Sequence, residues 1–255
     1  MADAESRTIV DIKGISKSRG AYYRLEIPDL TVRAGERIML LGDSGSGKST
    51  TLDLLALVLK PDERGVFTWR PGQLNINLME LWGEEKGDAL GRLRLADLGY
   101  VLQTGGLLPF LNVRENILLP AEMKKMRGPD KERRLDELFS VLKIGHLANK
   151  YPNQISVGER QRCSIARAVV HEPALILADE PTASLDPPTS DLVFNLLLTL
   201  SQKSALVVAT HDQARAQRHG FAVYRIVFPQ SQKTVRAVLT QATPPPPQAS
   251  VPSAR

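Results

Sequence analysis

Cysteine and aromatic residues are scarce in this sequence of 255 residues, and long apolar runs are missing. A single cysteine, Cys163, excludes an intramolecular disulfide framework and suits a reducing compartment. We expect Cys163 to be a small buried apolar residue. The longest apolar runs, such as "LLALVL" at residues 54–59, fall far short of the ~20 residues that cross a bilayer. The first residues, "MADAESR", are too polar for a signal peptide. The sequence therefore predicts a soluble, cytoplasmic protein.

Neither sign of charge dominates, because 33 Lys and Arg stand against 28 Asp and Glu and give a formal net charge of +5. The basic residues are scattered in short runs with little aromatic interleaving, which is not the pattern of a nucleic-acid-binding surface. We therefore expect no nucleic-acid partner and interpret the charge as solvated surface, with proximity to an anionic membrane as the alternative. Hydrophobic residues, at 42%, suffice for a substantial core.

The segment "GDSGSGKST" at residues 42–50 surrounds a lysine with glycines and serines. It follows "RIMLLG", typical of a buried parallel strand, and leads into "STTLDLLALVLK", typical of a helix at residues 49–60. In the pattern G-x-x-x-x-G-K-S, backbone N–H groups turn toward a phosphate, Lys48 reaches the β- and γ-phosphates, and Ser49 can ligate Mg²⁺. The alternative, a flexible Gly/Ser loop, does not explain the flanking strand and helix. The predicted nucleotide-binding residues here are Gly42, Asp43, Ser44, Gly45, Ser46, Gly47, Lys48, Ser49 and Thr50.

Two carboxylates end a second apolar strand in "ALILADEPTASLD", residues 174–186. Ligands bind at the carboxyl ends of strands in open α/β sheets, so Asp179 and Glu180 are placed where a nucleotide would lie. Asp179 suits Mg²⁺ held partly through water, and Glu180 can orient or deprotonate a water that attacks the γ-phosphate. An acidic helix cap before Pro181 is the alternative.

Two further polar residues end apolar strands. Gln103 ends "LGYVLQ", so its amide is predicted to reach the same Mg²⁺ and water region. His211 ends "ALVVATH" and is predicted to hydrogen-bond the γ-phosphate. The other histidines lie in helical or loop contexts and are predicted to be structural; they are His146, His171 and His219.

A second anion site is suggested by "ISVGERQR", residues 155–162, which precedes the helical pattern "CSIARAVVHEP". Ser156 offers a hydroxyl, and Gly158 offers an accessible backbone N–H at a helix N-terminus. A local helix cap is the simpler interpretation of this segment when it is considered alone. The residues assigned to this site are Ser156, Gly158 and Glu159.

Strands and helices alternate along much of the chain. The first ~35 residues, with "TIVDIKGI" and "YYRLEIPDLTV", predict an antiparallel sheet. Residues 71–97 are polar and poorly patterned, residues 113–168 are predominantly helical with Gly145 as a stop, and another helix is predicted at residues 190–202. The later alternation of strands with helices implies a parallel sheet, and hence an α/β fold.

Taken together and in this order, the motifs resemble those of the ATP-binding subunit of ABC transporters. "GDSGSGKS" is similar to the Walker A motif, "LILADE" to Walker B, and "ISVGERQR" to the signature usually written LSGGQ-x-QR. Gln103, "ASLD" and His211 are similar to the Q-loop, D-loop and H-loop. The resemblance covers roughly residues 7–225. The segment after Tyr100, with "LLPF" and "ENILLP", resembles the group of lipoprotein-release, macrolide-export and cell-division ATPases.

The resemblance implies a P-loop RecA-like core with an antiparallel β subdomain and an inserted helical subdomain. The ABC ATPase domain is then expected at residues 1–240, with the core at about 1–103 and 170–240 and the helical subdomain at about 104–169. Residues 241–255 are rich in proline and have almost nothing to bury, so we expect a disordered tail, with a docking motif as the alternative.

The resemblance also implies cofactors and partners. ATP and Mg²⁺ would bind in a homodimer, each ATP cradled by Lys48 of one subunit and closed by Ser156 of the other. A separate integral membrane permease would be gripped near Gln103, which places the chain peripherally on the cytoplasmic face of the inner (plasma) membrane. The alternatives are a soluble ABC-type ATPase acting on nucleic acid or ribosomes, a mechanotransmission ATPase without transport, and a scaffold that does not hydrolyse ATP.

Two departures from the family pattern stand out. Val157 occupies a signature position where the family usually has glycine, which alters one close backbone approach to phosphate. The aromatic residue that stacks on adenine is replaced by Arg19, with Tyr22 and Tyr23 slightly later. We predict that Tyr22 contacts the base, with Tyr23 or the guanidinium plane of Arg19 as alternatives.

Overall fold

The computed structural model describes residues 8–63, 65–70, 74–84, 86–229 and 235–243, and within them ten strands form one sheet. The strands are β1 (Thr8–Arg19), β2 (Tyr23–Arg33), β3 (Arg37–Leu41), β4 (Val66–Trp69), β5 (Ile76–Asn77), β6 (Leu98–Val101), β7 (Leu175–Asp179), β8 (Ala205–Thr210), β9 (Ala222–Val227) and β10 (Val235–Thr243). The helices are α1 (Lys48–Leu55), α2 (Leu78–Gly83), α3 (Gly87–Asp97), α4 (Val113–Met123), α5 (Gly128–Leu142), α6 (Val157–Val169), α7 (Pro187–Leu200) and α8 (Gln213–Arg218). The strand order is β5-β4-β1-β2-β10-β9-β3-β8-β7-β6.

One half of the sheet is parallel, as the alternation of strands and helices predicts. β3 pairs in parallel with β8 and β9, β7 pairs with β8, and β6 pairs with β7. Their carboxyl ends therefore meet at one edge, which is where α/β proteins bind ligands. The segments that leave this edge begin at Gly42, Leu102, Glu180 and His211.

The other half is the predicted antiparallel sheet, built from β1, β2, β4 and β5. β10 joins the two halves, because it pairs in parallel with β2 and antiparallel with β9. This strand continues to Thr243, so residues 241–243 belong to the sheet and not to the predicted tail. The remainder of that tail, residues 244–255, lies outside the described residues and its disorder stays a prediction.

The parallel strands separate two apolar clusters, because successive side chains of a strand point to opposite faces. Ile38 and Leu40 of β3 belong to the cluster that includes α1, whereas Met39 and Leu41 belong to the cluster beneath α4, α5 and α6. These three helices fall within the segment predicted as a helical subdomain. Packing against both clusters holds the parallel strands in place, and the candidate site lies at the carboxyl ends of these strands. Among the described residues, no helix combines the length and apolar character that a membrane span requires.

Several element boundaries differ from the prediction. α1 ends at Leu55 and not at residue 60, because Leu57 adopts a left-handed backbone with φ of 58°. α5 ends at Leu142 and is capped by Lys143, which has φ of 55° and lies two residues before the expected stop at Gly145. The stretch from residue 71 to 97 holds β5, α2 and α3, which the sequence did not predict, since these elements are short and α3 fully buries only Leu90.

Candidate nucleotide-binding site

The loop of residues 42–47 between β3 and α1, called here the phosphate loop, depends on glycine for its shape. Gly45 and Gly47 have φ of 75° and 108°, a region that favours glycine. A Cβ on Gly47 would collide with the Tyr23 hydroxyl, and one on Gly42 would lie 2.5 Å from Ser46 Oγ. Tyr23 Oη donates a hydrogen bond of 2.6 Å to Ser46 O and thereby ties β2 to the loop.

Lys48 is the first residue of α1 and is only 7% exposed. Its Nζ folds back over the loop and donates to Gly42 O at 2.8 Å and Asp43 O at 3.0 Å. The same ammonium lies 3.5 Å from Glu180 Oε1. The phosphate loop and the end of β7 are therefore joined through one buried cation, although the two motifs lie in distant parts of the chain.

Asp179 is the last residue of β7, and its carboxyl faces the start of α1. Burial raises the pKa of the Asp179 carboxyl above its usual value of 3.8, a hydrogen bond with Ser49 opposes that shift, and Glu180 nearby adds to it. The Ser49 hydroxyl and the Asp179 carboxyl thus lie close together at the start of α1. Both are hard oxygen donors of the kind that Mg²⁺ prefers.

Glu180 follows immediately and has a strained backbone, with φ of 42°. A left-handed non-glycine residue costs about 1–3 kcal/mol, and such strain occurs frequently at functional sites. The backbone N–H of Glu180 donates to Ala209 O at 2.9 Å, which holds the residue against the end of β8. Its carboxylate bridges two cationic or potentially cationic groups, since Oε2 lies 3.3 Å from His211 Nδ1.

The structure thus brings Lys48, Glu180 and His211 into one row at the carboxyl edge of the sheet. The His211 side chain is 74% exposed, so this end of the row opens to solvent. Gln103 is also exposed and lies two residues after the end of β6, because the strand stops at Val101 and not at residue 103. Its predicted role toward Mg²⁺ stays a prediction.

A cavity of about 230 Å³ opens beside the phosphate loop. Its lining residues are Arg19, Tyr23, Gly45, Gly47, Lys48, Ser49 and Thr50. Tyr22, the predicted base contact, is 77% exposed and is not part of this lining, so the two alternatives lie closer to the loop. Which residue contacts the base stays a prediction.

Ser156 is the N-cap of α6, and the simple interpretation of its segment as a helix cap describes its local geometry. Ser156 Oγ accepts a bond of 3.3 Å from Glu159 N, and Ser156 N donates to Glu159 Oε2 at 2.8 Å. Glu159 Oε1 also lies 3.6 Å from His146 Nε2. Ser156 and Val157 are nevertheless exposed, which leaves this helix end available to a second molecule.

Gly158 has a packing role that the sequence did not predict. A Cβ at this position would lie 3.0 Å from Thr189 Cγ2 at the start of α7, which is tighter than ordinary van der Waals contact. The glycine therefore permits the close approach of α6 and α7. Its predicted contact with a phosphate of another subunit stays a prediction.

Asp53 on α1 is a further polar residue that the motifs did not identify. Its Oδ1 accepts a bond of 3.2 Å from Tyr100 Oη, and its Oδ2 lies 3.5 Å from Arg19 Nη2. Burial, together with the charge of Asp53, raises the pKa of Tyr100. The only signal in the sequence is an acidic residue within the otherwise apolar pattern "LDLLALVL".

Comparisons with known proteins identify a family, relatives and solved structures that are similar to this chain. Residues 25–183 match the family model described as "ABC transporter". The chain is 39% identical over 203 residues to the uncharacterized ABC transporter ATP-binding protein YvcR of Bacillus subtilis, covering 79% of this chain and 75% of YvcR. It is 40% identical over 186 residues to the lipoprotein-releasing system ATP-binding protein LolD of Hydrogenovibrio crunogenus, covering 72% and 77%. The dimeric ATP-binding cassette MJ0796, bound to ADP and Pi, is a structural neighbour with a TM-score of 0.71, 29% identity, and coverage of 91% of this chain and 98% of that one.

Proposed function

Because the chain belongs to the ABC transporter family, we propose that it is the ATP-hydrolysing subunit of a transporter and acts on ATP at the phosphate loop. The observation that carries this proposal is the row of Lys48, Glu180 and His211, which joins three separate motifs through contacts of 3.5 and 3.3 Å. The structural neighbour with ADP and Pi belongs to the same class of cassette.

The row supplies the groups that phosphoryl transfer to water requires. Lys48 balances the negative charge of the β- and γ-phosphates. When ATP binds, the Lys48 ammonium exchanges its bonds to the loop carbonyls for bonds to these phosphates. Glu180 accepts a proton from the attacking water as its oxygen bonds to the γ-phosphorus and the bond to the ADP oxygen breaks. His211, beside Glu180, orients the carboxylate and hydrogen-bonds the γ-phosphate.

Mg²⁺ fits the oxygen donors at the start of α1. Ser49 and Asp179 would hold the ion, with Gln103 as the predicted third residue. The proximity of the Ser49 hydroxyl to the Asp179 carboxyl supports this assignment. When bound, the ion would neutralise charge on the phosphate oxygens.

A second copy of the chain would complete each site. The exposed N-terminus of α6, with Ser156 and Gly158, would face the ATP held by Lys48 of its partner, because a helix N-terminus attracts anions. The description of MJ0796 as a dimer supports this arrangement. ATP binding would then close the homodimer, and hydrolysis would reopen it.

A groove of about 490 Å³ next to β6 suits a membrane permease as partner. Its apolar wall includes Leu95, Leu108, Leu119 and Met123. The groove borders the segment of this chain that carries Gln103. A permease helix bound in the groove would therefore be able to shift Gln103 relative to the nucleotide-binding site. A chain bound to a permease in this way would lie on the cytoplasmic face of the inner (plasma) membrane. The alternative of a soluble ATPase acting on nucleic acid or ribosomes gains no support from the relatives, whose names refer to an ABC transporter and to a lipoprotein-releasing system.

Steady-state hydrolysis with Mg²⁺ and ATP tests this function. Lys48→Ala should lower turnover at least ~10²-fold, because charge stabilisation at a phosphoryl group is the largest catalytic contribution. Lys86→Ala is the matched control, since Lys86 is exposed and, in the described part of the chain, forms its ion pair with the exposed Glu84. Turnover near the wild-type level in Lys48→Ala, with an unchanged circular dichroism spectrum, would contradict the proposal.

A further inference from the structure

Arg215 on α8 lies where three segments next to the candidate site meet, and its side chain is only 11% exposed. Nη1 donates to Thr182 Oγ1 at 2.9 Å. Nη2 donates to Ser190 Oγ at 3.1 Å and to Asp191 Oδ1 at 2.7 Å, both on α7. One guanidinium therefore joins α8 both to the loop that follows Glu180 and to α7, the helix in which this loop ends.

The Arg215 side chain also contacts Asp212, at the start of its own helix, and the ring of Phe194 on α7. Nε lies 3.4 Å from Asp212 Oδ2, and the backbone N–H of Arg215 donates to Asp212 Oδ1 at 2.9 Å. The guanidinium carbon lies 4.8 Å from the centre of the Phe194 ring. A planar group with donors in a fixed fork can satisfy several partners at once, which a lysine ammonium cannot do in the same geometry.

The partners of Arg215 are direct neighbours of two residues of the row. Thr182 lies two positions after Glu180, and Asp212 immediately follows His211. Glu180, His211 and Arg215 also line a common cavity of about 410 Å³. Because Glu180 holds a strained backbone, the loop after it needs an anchor, and the bond from Arg215 to Thr182 supplies one.

We propose that Arg215 is a positioning residue for ATP hydrolysis, which holds the Glu180 segment and the His211 segment in fixed register. The inference rests on the proposed function and adds a residue outside the motifs of the family. Arg215 does not touch the phosphate loop cavity, whose lining is formed by other residues. It therefore governs the chemical step and leaves nucleotide binding unchanged.

Kinetics of Arg215→Met test this role, since methionine keeps an apolar stem against Phe194 and removes every polar bond of the guanidinium. We expect kcat to fall about 10- to 100-fold, because a displacement of ~1 Å in a catalytic group has an effect of that size. The KM for ATP should stay nearly constant. Arg215→Lys should recover part of the kcat, whereas a purely structural role predicts no such separation of kcat from KM.

Arg218→Ala is the matched control, because Arg218 is exposed, lies on the same helix and lines the same cavity. It should keep wild-type kcat. Thr182→Val should lower kcat on its own but add nothing to Arg215→Met, since both changes remove the same bond. A wild-type kcat in Arg215→Met, or full additivity with Thr182→Val, would overturn the inference.

Hydrogen exchange provides a second measurement that does not need turnover. In Arg215→Met, peptides containing residues 180–186 and 210–213 should exchange about 10-fold faster than in wild type, because charge-assisted bonds are lost there. Peptides of the phosphate loop should be unchanged. Unchanged exchange at residues 180–186 would refute the positioning role even if wild-type protein hydrolysed ATP, and absent wild-type hydrolysis would refute the proposed function alone.

Discussion

His171 makes the stability of the fold depend on pH, because its ring is buried. The side chain is 3% exposed, and its Nε2 lies 2.9 Å from Leu98 O, so this nitrogen carries the proton and donates it. Burial lowers the pKa of His171 from 6.5 to about 4, while the bond to Leu98 opposes the shift and Lys124 adds to it. The buried ring is therefore neutral in the folded protein.

A histidine with a lowered folded-state pKa stabilises the fold fully above pH 6.5, and that stability is lost as the pH falls toward about 4. At pH 5 the unfolded chain binds a proton that the folded chain does not. Relative to pH 7.5, the free energy of unfolding should fall by about 2 kcal/mol from this residue alone. For a domain of this size the melting temperature should fall by about 4–8 °C.

Thermal melts at pH 7.5, 6.0 and 5.0 isolate this contribution when His171→Gln is compared with wild type. The glutamine amide can still donate to Leu98 O but does not titrate, so the variant should lose about 2 kcal/mol less on acidification. Parallel curves for wild type and His171→Gln would refute the assignment of a buried neutral ring.

Two further predictions concern the departures from the family pattern. Val157→Gly should keep or raise ATP turnover, because glycine permits a closer approach of the α6 N-terminus to phosphate; loss of most turnover would mean that the closed dimer is built around the valine. For the base contact, we expect Arg19→Ala to raise the KM for ATP roughly 5- to 100-fold, the effect of one stacking contact, with kcat little changed. A larger increase in Tyr22→Ala than in Arg19→Ala would instead support Tyr22, the residue predicted from the sequence, as the base contact.

The sequence was sufficient to predict the parallel core and the motifs at its edge. Apolar strands that end in Asp179 and His211 can be recognised locally, and the rule that carboxyl ends meet at one edge predicts that their functional groups lie together. The contacts of Glu180 with Lys48 and His211 have this origin. By contrast, α2 and α3 bury too few residues to show a helical period.

Other features depend on contacts that no local pattern contains. Arg215 lies in the unremarkable segment "HDQARAQR", and its partners Thr182, Ser190 and Asp191 are 33, 25 and 24 residues away in the chain. Tyr22 and Tyr23 are adjacent, so only the start of β2 at Tyr23 decides which of them faces the phosphate loop. A shift of one residue reverses the face that a strand residue occupies.

Glu180→Gln tests most directly whether a second copy of this chain completes each ATP site. The amide keeps the shape of the carboxylate but cannot accept a proton, so hydrolysis should slow by ~10²–10⁴-fold while ATP still binds. The change also removes the negative charge of the Glu180 carboxylate near Lys48 and the γ-phosphate, which favours closure of the dimer around ATP.

Size-exclusion chromatography of Glu180→Gln with Mg²⁺ and ATP should therefore show a shift from monomer to dimer. Adding Ser156→Arg should abolish that shift, because it places a bulky cation at the exposed end of α6; loss of the N-cap costs only about 1 kcal/mol, so the fold is expected to persist. Adding Lys86→Ala should leave the dimer intact. A Glu180→Gln protein that binds ATP tightly yet elutes as a monomer, alone and with its permease, would contradict the two-subunit site.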